Sequence, residues 1–157
     1  MGCVPGSRPP GPARAPRPRR RRPRRGRLAA MPIVHVHLRA GRTAAQKKAI
    51  LDGLHAAFVE ALKIQPDDRN QLVLELPAEG FESRSGPDAV FVEANLFQGR
   101  SADAKRRLYQ LAVDNLERAG VRRDAVLIVL HDPPLENWGI RGGQCAADVK
   151  LGYEIKV

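Results

Sequence analysis

Histidine is the first residue type in this sequence whose spacing suggests chemistry. His35 and His37 are separated by one residue in a strictly alternating segment, so both lie on one face of a predicted strand, as paired metal ligands would. No third ligand is near them in the sequence, and His55 and His131 stand alone, so we expect no metal site. The sequence also has no phosphate-binding loop, nucleophile elbow or dinucleotide fingerprint. It therefore predicts chemistry without a bound cofactor.

Two arginines stand in matching turns. Gly41-Arg42-Thr43 and Gly99-Arg100-Ser101 each precede a helical pattern, and Lys47 and Lys105 follow these turns at the same distance. The match continues in the pattern of strands and helices around the turns. We interpret it as an internal repeat of one strand-helix-strand unit.

The first copy of the unit spans residues 32–76. Residues 32–38 alternate apolar and other side chains, which predicts a strand. Thr43 and Gln46 form a capping-box pattern, and an apolar stripe at three- and four-residue spacing follows, which predicts a helix. Residues 71–76 then read as a second strand with its leucines on one face.

The second copy spans residues 89–131, after a loop at 77–88. It has a strand at 89–97, a helix at 102–119 and an apolar strand at 126–130. Strands joined by a helical crossover lie parallel. The sequence thus predicts an α/β fold with a four-stranded sheet and two helices on one face.

The other face of that sheet would stay apolar and uncovered. A monomer does not tolerate a whole sheet face of exposed apolar side chains, so we expect an oligomer. Residues 149–157 are predicted to add one short strand, at a sheet edge or across a subunit boundary.

Residues 1–31 differ in composition from the rest of the chain. They hold ten of the arginines, seven of the 13 prolines and no acid, so the 17 remaining basic residues balance all 17 acids. We predict a disordered extension, because almost no apolar surface is available to offset its ordering entropy. No apolar stretch suits a secretion signal or a membrane span, and the two cysteines form no disulfide framework. These features favour a cytoplasmic protein that contacts no membrane.

The folded part resembles the tautomerase superfamily. The resemblance rests on the opening Met31-Pro32-Ile33, the two Gly-Arg turns, the duplicated unit and the stretch Asn137-Trp138-Gly139-Ile140-Arg141-Gly142-Gly143. It covers residues 32–157. The doubled length is similar to the longer branch that includes malonate semialdehyde decarboxylase and cis-3-chloroacrylic acid dehalogenase. The resemblance implies a homotrimer around a central barrel, which would cover the apolar sheet face.

The resemblance implies that Pro32 is catalytic once Met31 is removed. An amino-terminal proline carries a secondary amine, and burial and cationic neighbours lower the pKa of an α-amino group from about 8 toward neutrality. The neutral amine can take a proton from carbon beside a carbonyl and return it elsewhere. Inside a longer chain Pro32 is a tertiary amide without a basic lone pair, so initiation at Met31 or removal of residues 1–31 is required. Without the resemblance, Pro32 can also be interpreted as a structural proline at the first position of a strand.

Two arginines match substrate-binding positions of the superfamily. Arg100 matches the arginine that holds the substrate carboxylate in the longer members, and a guanidinium fork suits that contact. The decarboxylase has a second arginine at the position of Gln98. Arg42 corresponds to the equivalent arginine of the short tautomerases and is expected to act in its own or a neighbouring subunit. A solvated turn arginine is the alternative for Arg100.

Asp68 and Trp138 complete the implied site. Asp68 matches the decarboxylase aspartate that assists the proline or positions water, with an acid in a polar turn as the alternative. Trp138 is expected to form a water-excluding apolar wall, or else to be a core or interface residue. Val59 occupies the position of a histidine that the dehalogenase requires, which argues against dehalogenation.

The leading hypothesis is therefore tautomerisation of a small carboxylate-bearing 2-oxo acid or enol. Decarboxylation of a 3-oxo acid is the nearest alternative, favoured by Asp68 and Arg100 and weakened by Gln98. An alternative of another class is nucleic-acid binding through residues 1–31, if they are retained. That segment has no interleaved aromatic residues to stack on bases, and we favour an upstream extension absent from the mature enzyme.

Overall fold

The computed structural model of the chain describes residues 32–150. The predicted disordered extension, residues 1–31, and all but the first two residues of the strand predicted at 149–157 lie outside the described residues. Within residues 32–150, no helix is long and apolar enough to cross a lipid bilayer.

The first repeat unit contains strand β1 (Ile33–Arg39), helix α1 (Ala44–Leu62) and strand β2 (Asn70–Leu76). The predicted capping box is confirmed: the Thr43 hydroxyl accepts from the Gln46 backbone amide at 3.2 Å, and the Gln46 side-chain oxygen accepts from the Thr43 amide at 2.8 Å. These two bonds satisfy amides that lack partners in the first helical turn.

The second repeat unit contains strand β3 (Val90–Asn95), helix α2 (Ala102–Arg118) and strand β4 (Val126–His131). Ser101 caps α2 by accepting from the Ala104 backbone amide at 3.1 Å. Strand β3 is shorter than the predicted 89–97, so Ala89 and the residues after Asn95 lie outside the strand. The predicted order of elements is confirmed.

The four strands form one sheet in the order β2-β1-β3-β4. Each repeat unit contributes a parallel pair, as predicted, and the central β1–β3 pair is antiparallel. Ile33 pairs with Asn95, so the start of β1 lies beside the end of β3. We call this the proline end of the sheet, because Pro32 precedes β1 there. The opposite end, which carries Arg39 and the residue Ala89 that precedes β3, is the alanine end.

Both helices cover one face of the sheet. The β1 residues Val34, Val36 and Leu38 face the helices and are at most 1% exposed. The opposite face is open, and its large apolar side chains are 36% to 56% exposed: Leu72, Leu74, Leu76, Leu127 and Val129. The predicted uncovered apolar face is therefore present in the single chain.

After β4 the chain forms a small lobe that the sequence did not predict. Strands β5 (Gly139–Ile140) and β6 (Gln144–Cys145) form a short antiparallel pair. Buried residues from this lobe and from the segment after β3 form a second apolar cluster: Phe97, Trp138, Ile140 and Ala146. The lobe lies against the proline end, because Ile33 also packs on this cluster.

Candidate active site

Pro32 lies directly before β1 and is buried. Its carbonyl oxygen accepts a hydrogen bond from the side-chain amide of Asn70 at 3.4 Å. Asn70 begins β2 and pairs with Ile33 in the parallel register. Asn70 was not predicted as a site residue; the parallel pairing of the two predicted strands is the signal that could have located it.

Arg100 and Gln98 follow β3 at the proline end. Arg100 is only 7% exposed, and its Nη1 donates a hydrogen bond to the Leu62 carbonyl at 3.2 Å. Leu62 is the last residue of α1, where carbonyl groups lack helical partners and a cation is favoured by the helix dipole. Arg100 is therefore not the solvated turn residue of the alternative interpretation. Gln98, by contrast, is exposed.

Asp68 lies in the connection from α1 to β2 and is 7% exposed. Burial raises the pKa of its carboxyl group from 3.8 to about 6, the negative charge of Asp67 raises it too, and His55 opposes the shift. Among the described residues, no hydrogen-bond partner reaches its buried Oδ2. Asp68 is thus a desolvated acid that exchanges its proton near neutral pH, and not a solvated acid in a polar turn.

Trp138 forms an apolar wall beside the start of β1. It is 9% exposed, and its ring packs edge-on against Phe97 with 4.8 Å between the ring centroids. Its Nε1 donates to the Pro133 carbonyl at 3.3 Å, which satisfies the one polar atom of the ring. Ile33 contacts the same cluster, so this wall reaches the residue next to Pro32.

Pro32, Asp68, Arg100 and Trp138 therefore all lie buried at the proline end, with Gln98 exposed at the same end. A carboxyl group that titrates near pH 6 can hold or release a proton there. An anchored guanidinium is suited to a carboxylate, and the apolar wall strengthens both interactions by excluding water. The arrangement is suited to proton transfer on a small acid.

Two family models, each described as tautomerase enzyme, match residues 32–82 and residues 68–141 of the chain. Together they span residues 32–141, which include Pro32, Asp68 and Arg100. The chain belongs to the tautomerase superfamily.

Members of the tautomerase superfamily align along nearly their whole length. The probable tautomerase YusQ from Bacillus subtilis (strain 168) is 24% identical over 122 residues, which are 73% of this chain and 96% of YusQ. Crystal structures of malonate semialdehyde decarboxylase match with a TM-score of 0.66 and 26% identity, over 75% of this chain and 99% of that chain. An asymmetric trimer of wild-type fused 4-OT matches with a TM-score of 0.67 and 24% identity, over 73% and 96%.

Arg42 was implied as a second substrate arginine by the resemblance to the tautomerase superfamily. The structure places it at the alanine end, after the seven residues of β1 and therefore about 20 Å along the strand from Pro32. Its Nη2 donates to the carbonyl of Asp88, which precedes Ala89, at 2.7 Å. Within one chain, Arg42 and Pro32 are thus not brought together. A contribution from a neighbouring subunit stays a prediction.

Proposed function

We propose that this chain catalyses tautomerisation of a small 2-oxo acid or enol, with Pro32 as an amino-terminal general base and acid and without a cofactor. The observation that carries the proposal is that Pro32, Asp68 and Arg100 are all buried at the same end of the sheet. Membership in the tautomerase superfamily and the similarity to a probable tautomerase support an enzyme of this kind.

The proline amine is the proposed proton carrier. Burial disfavours its charged form, and the cationic Arg100 at the same end of the sheet does so too, so both lower the pKa of the amine. A neutral amine at physiological pH removes a proton from the carbon beside a carbonyl group and returns it to the other end of the enol system.

Asp68 and Arg100 have complementary roles in this proposal. Arg100 binds the substrate carboxylate, because a guanidinium has five N–H donors and can keep its bond to the Leu62 carbonyl while it does so. Asp68 stabilises the ammonium group that forms when Pro32 takes up the proton. Since the pKa of Asp68 is about 6, its carboxylate form predominates at pH 7 and above.

The proposed chemistry requires that Pro32 be the first residue of the mature protein. Methionine is the residue before it, so initiation at Met31 followed by methionine removal would expose the amine. Mass spectrometry of the protein from its native source tests this step. Mature protein that still carries residues 19–25 would contradict the role of Pro32 as a base.

The test of the proposed activity compares a chain that begins at Pro32 with the same chain carrying Pro32→Ala. Both are assayed for ketonisation of phenylenolpyruvate, with circular dichroism as the folding control. Loss of a general base should lower the rate by about 10²- to 10⁴-fold. Equal rates in the two chains would contradict the proton-transfer proposal.

Decarboxylation of a 3-oxo acid is the second candidate function. The buried Asp68 and Arg100 favour it, as does the fold match to malonate semialdehyde decarboxylase. The exposed Gln98 weakens it, because that position lacks a second guanidinium. Release of carbon dioxide from malonate semialdehyde by the chain that begins at Pro32, with no ketonisation of phenylenolpyruvate, would favour the decarboxylase.

We also propose that the open sheet face is covered by other copies of the chain in a homotrimer. The exposed apolar side chains of β2 and β4 support an oligomer, and similarity to the fused 4-OT trimer supports three subunits. Leu127 is the most exposed of these residues at 56%. Leu127→Asp should dissociate the assembly in sedimentation velocity, whereas a chain that sediments as a monomer before substitution would contradict the proposal.

A further inference from the structure

The alanine end carries a second arrangement related to the one at the proline end. Ala89 directly precedes β3, just as Pro32 directly precedes β1. Arg42 and Arg100 occupy the same position of the repeated turn before α1 and α2. The internal repeat thus has an arginine at the alanine end but an alanine, Ala89, in the position that matches Pro32.

A cleft of about 430 Å³ opens at the alanine end. This volume lies within the range of about 300–1,000 Å³ that is usual for small-molecule sites. Three arginines line the cleft, Arg39, Arg42 and Arg122, together with Gln46 and one acid, Asp88. The charged side chains of the lining therefore sum to two positive charges.

Two of the three arginines are held in place by backbone carbonyls. Arg42 donates to such a carbonyl at 2.7 Å, and Arg122 donates to the Ser85 carbonyl at 2.6 Å while its Nε lies 3.5 Å from the Asp124 carboxylate. Each bond uses one of the five donors of a guanidinium group. Among the described residues, the side chain of Arg39 has no hydrogen-bond or ion-pair partner. The cleft thus presents anchored cations with donor capacity to spare.

We propose that this cleft binds a small oxyanion, a carboxylate or a phosphate, and does not convert it. Guanidinium groups form charge-assisted, bidentate hydrogen bonds with either anion. No proline amine is possible at this end, because Ala89 lies in the middle of the chain and its nitrogen belongs to a peptide bond. The site goes beyond the proposed function and is independent of catalysis at Pro32.

Residue-resolved arginine modification tests this site in the full chain. Phenylglyoxal modifies accessible guanidinium groups, and peptide mass mapping reports the rate at each arginine. The probes are malonate for carboxylates and inorganic phosphate for phosphates. At about ten times its dissociation constant, a bound probe lowers the free fraction of the site about tenfold. We expect modification of Arg39 and Arg122 to slow about tenfold, while the ten arginines of residues 1–30 report non-specific shielding.

The variants give the proposal a matched control. Arg42→Gln should remove the protection of Arg39 and Arg122 without changing the thermal midpoint, and Arg122→Gln should remove that of Arg39. Arg106→Gln, an exposed α2 residue paired with Asp103 outside the cleft, should leave the protection intact.

The two probes separate the possible sources of the anion. Protection by malonate alone identifies a carboxylate site, protection by phosphate alone identifies a phosphate site, and protection by both supports the shared oxyanion chemistry. The proposal is overturned if neither probe protects Arg39 and Arg122 more than the arginines of residues 1–30. It is also overturned if the Arg42→Gln chain keeps full protection. In the chain that begins at Pro32, loss of tautomerase activity in Pro32→Ala with intact protection of Arg39 and Arg122 would show that the two sites are separate.

Discussion

The two ends of the sheet are built from copies of the same strand-helix-strand unit, but their arginines have different environments. At the proline end Arg100 is 7% exposed and bonded to the last carbonyl of α1. At the alanine end Arg42 is half-buried, lines an open cleft and bonds to the carbonyl of Asp88. The same residue type in the same turn is thus enclosed at one end and open to ligands at the other.

The acidic residues at the two ends also differ in burial, as the arginines do. Asp68 lies two residues before β2 and Asp124 two residues before β4. Asp68 is buried and its pKa is raised to about 6, whereas the side chain of Asp124 is 75% exposed beside Arg122. Burial, and not residue type, therefore turns one of two equivalent acids into a group that exchanges protons near neutral pH.

A chain built from two fused units has only one amino terminus, so only one end of the sheet can carry an amino-terminal proline. An amino-terminal proline can serve only the end at which the chain begins, so the alanine end cannot share this chemistry. The arginines of the alanine end lie away from Pro32 of their own chain, and their guanidinium groups suit the binding of an anion. Four predictions test this difference between the two ends.

The largest effect is expected from blocking the amine of Pro32. A chain that retains Met31 before Pro32 should lose about 10²- to 10⁴-fold in kcat/KM relative to one that begins at Pro32, because the amide has no basic lone pair. Initial rates of phenylenolpyruvate ketonisation measure this loss. The thermal midpoint should not change, since the added residue leaves the strand intact. Comparable activity with Met31 retained would mean that the base is another group.

The next effect distinguishes the contributions of Arg100 and Arg42 to kcat/KM. Arg100→Gln should lower kcat/KM by about 10- to 100-fold through KM, since hydrogen bonds to charged groups contribute roughly 1.5–3 kcal/mol. Arg100→Lys keeps the charge and should recover part of the loss, which a purely structural role would not show. Arg42→Gln should change kcat/KM less than twofold by the same assay. An equal loss for Arg42→Gln would instead place Arg42 at the Pro32 site of a neighbouring subunit.

A third effect concerns how the free energy of unfolding depends on pH in variants of Asp68 and Asp124. Because the pKa of Asp68 is raised from 3.8 to about 6, the folded protein binds more protons than the unfolded chain between these values. The free energy of unfolding therefore falls as pH rises through this window, by on the order of 2 kcal/mol from this group. Asp68→Asn should remove that dependence in urea titrations.

Asp124→Asn is the matched control for the Asp68 prediction. Its carboxylate is exposed, so its removal should change stability by less than about 0.5 kcal/mol at any pH in the window. If both variants keep the pH dependence of the original chain, another group causes it, and the contrast in burial between the two acids has no energetic consequence.

The sequence predicted the parts of the fold that depend on local pattern. The capping box at Thr43, the order of elements and the parallel pairs inside each unit follow from periodicity and turn chemistry, and the structure confirms them. The uncovered sheet face was predicted from the number of helices. The lobe at 139–145 was not predicted, because it has two-residue strands and no periodicity to detect.

The site was predicted less completely, because its properties arise from tertiary packing. Asp68 and Arg100 have polar neighbours in sequence, yet both are 7% exposed in the folded chain. The side chain of Asn70, at the start of β2, bonds to the carbonyl of Pro32 beside the neighbouring strand β1. No local sequence pattern encodes this contact. The location of Arg42 required the antiparallel arrangement of the two units, which sequence periodicity does not give.

The smallest effect tests whether the two repeat units are stabilised equally by their matching ion pairs. The Lys47–Glu75 ion pair at 2.7 Å repeats as Lys105–Asp132 at 2.6 Å, and all four side chains are 25% to 33% exposed. Pairs with this partial exposure contribute about 0.2–1 kcal/mol. Double-mutant cycles with alanine, measured by urea denaturation, should therefore give small coupling energies that agree within about 0.5 kcal/mol. Agreement would confine the asymmetry to the residues at the two ends, whereas a much larger coupling in one unit would show that the framework has diverged as well.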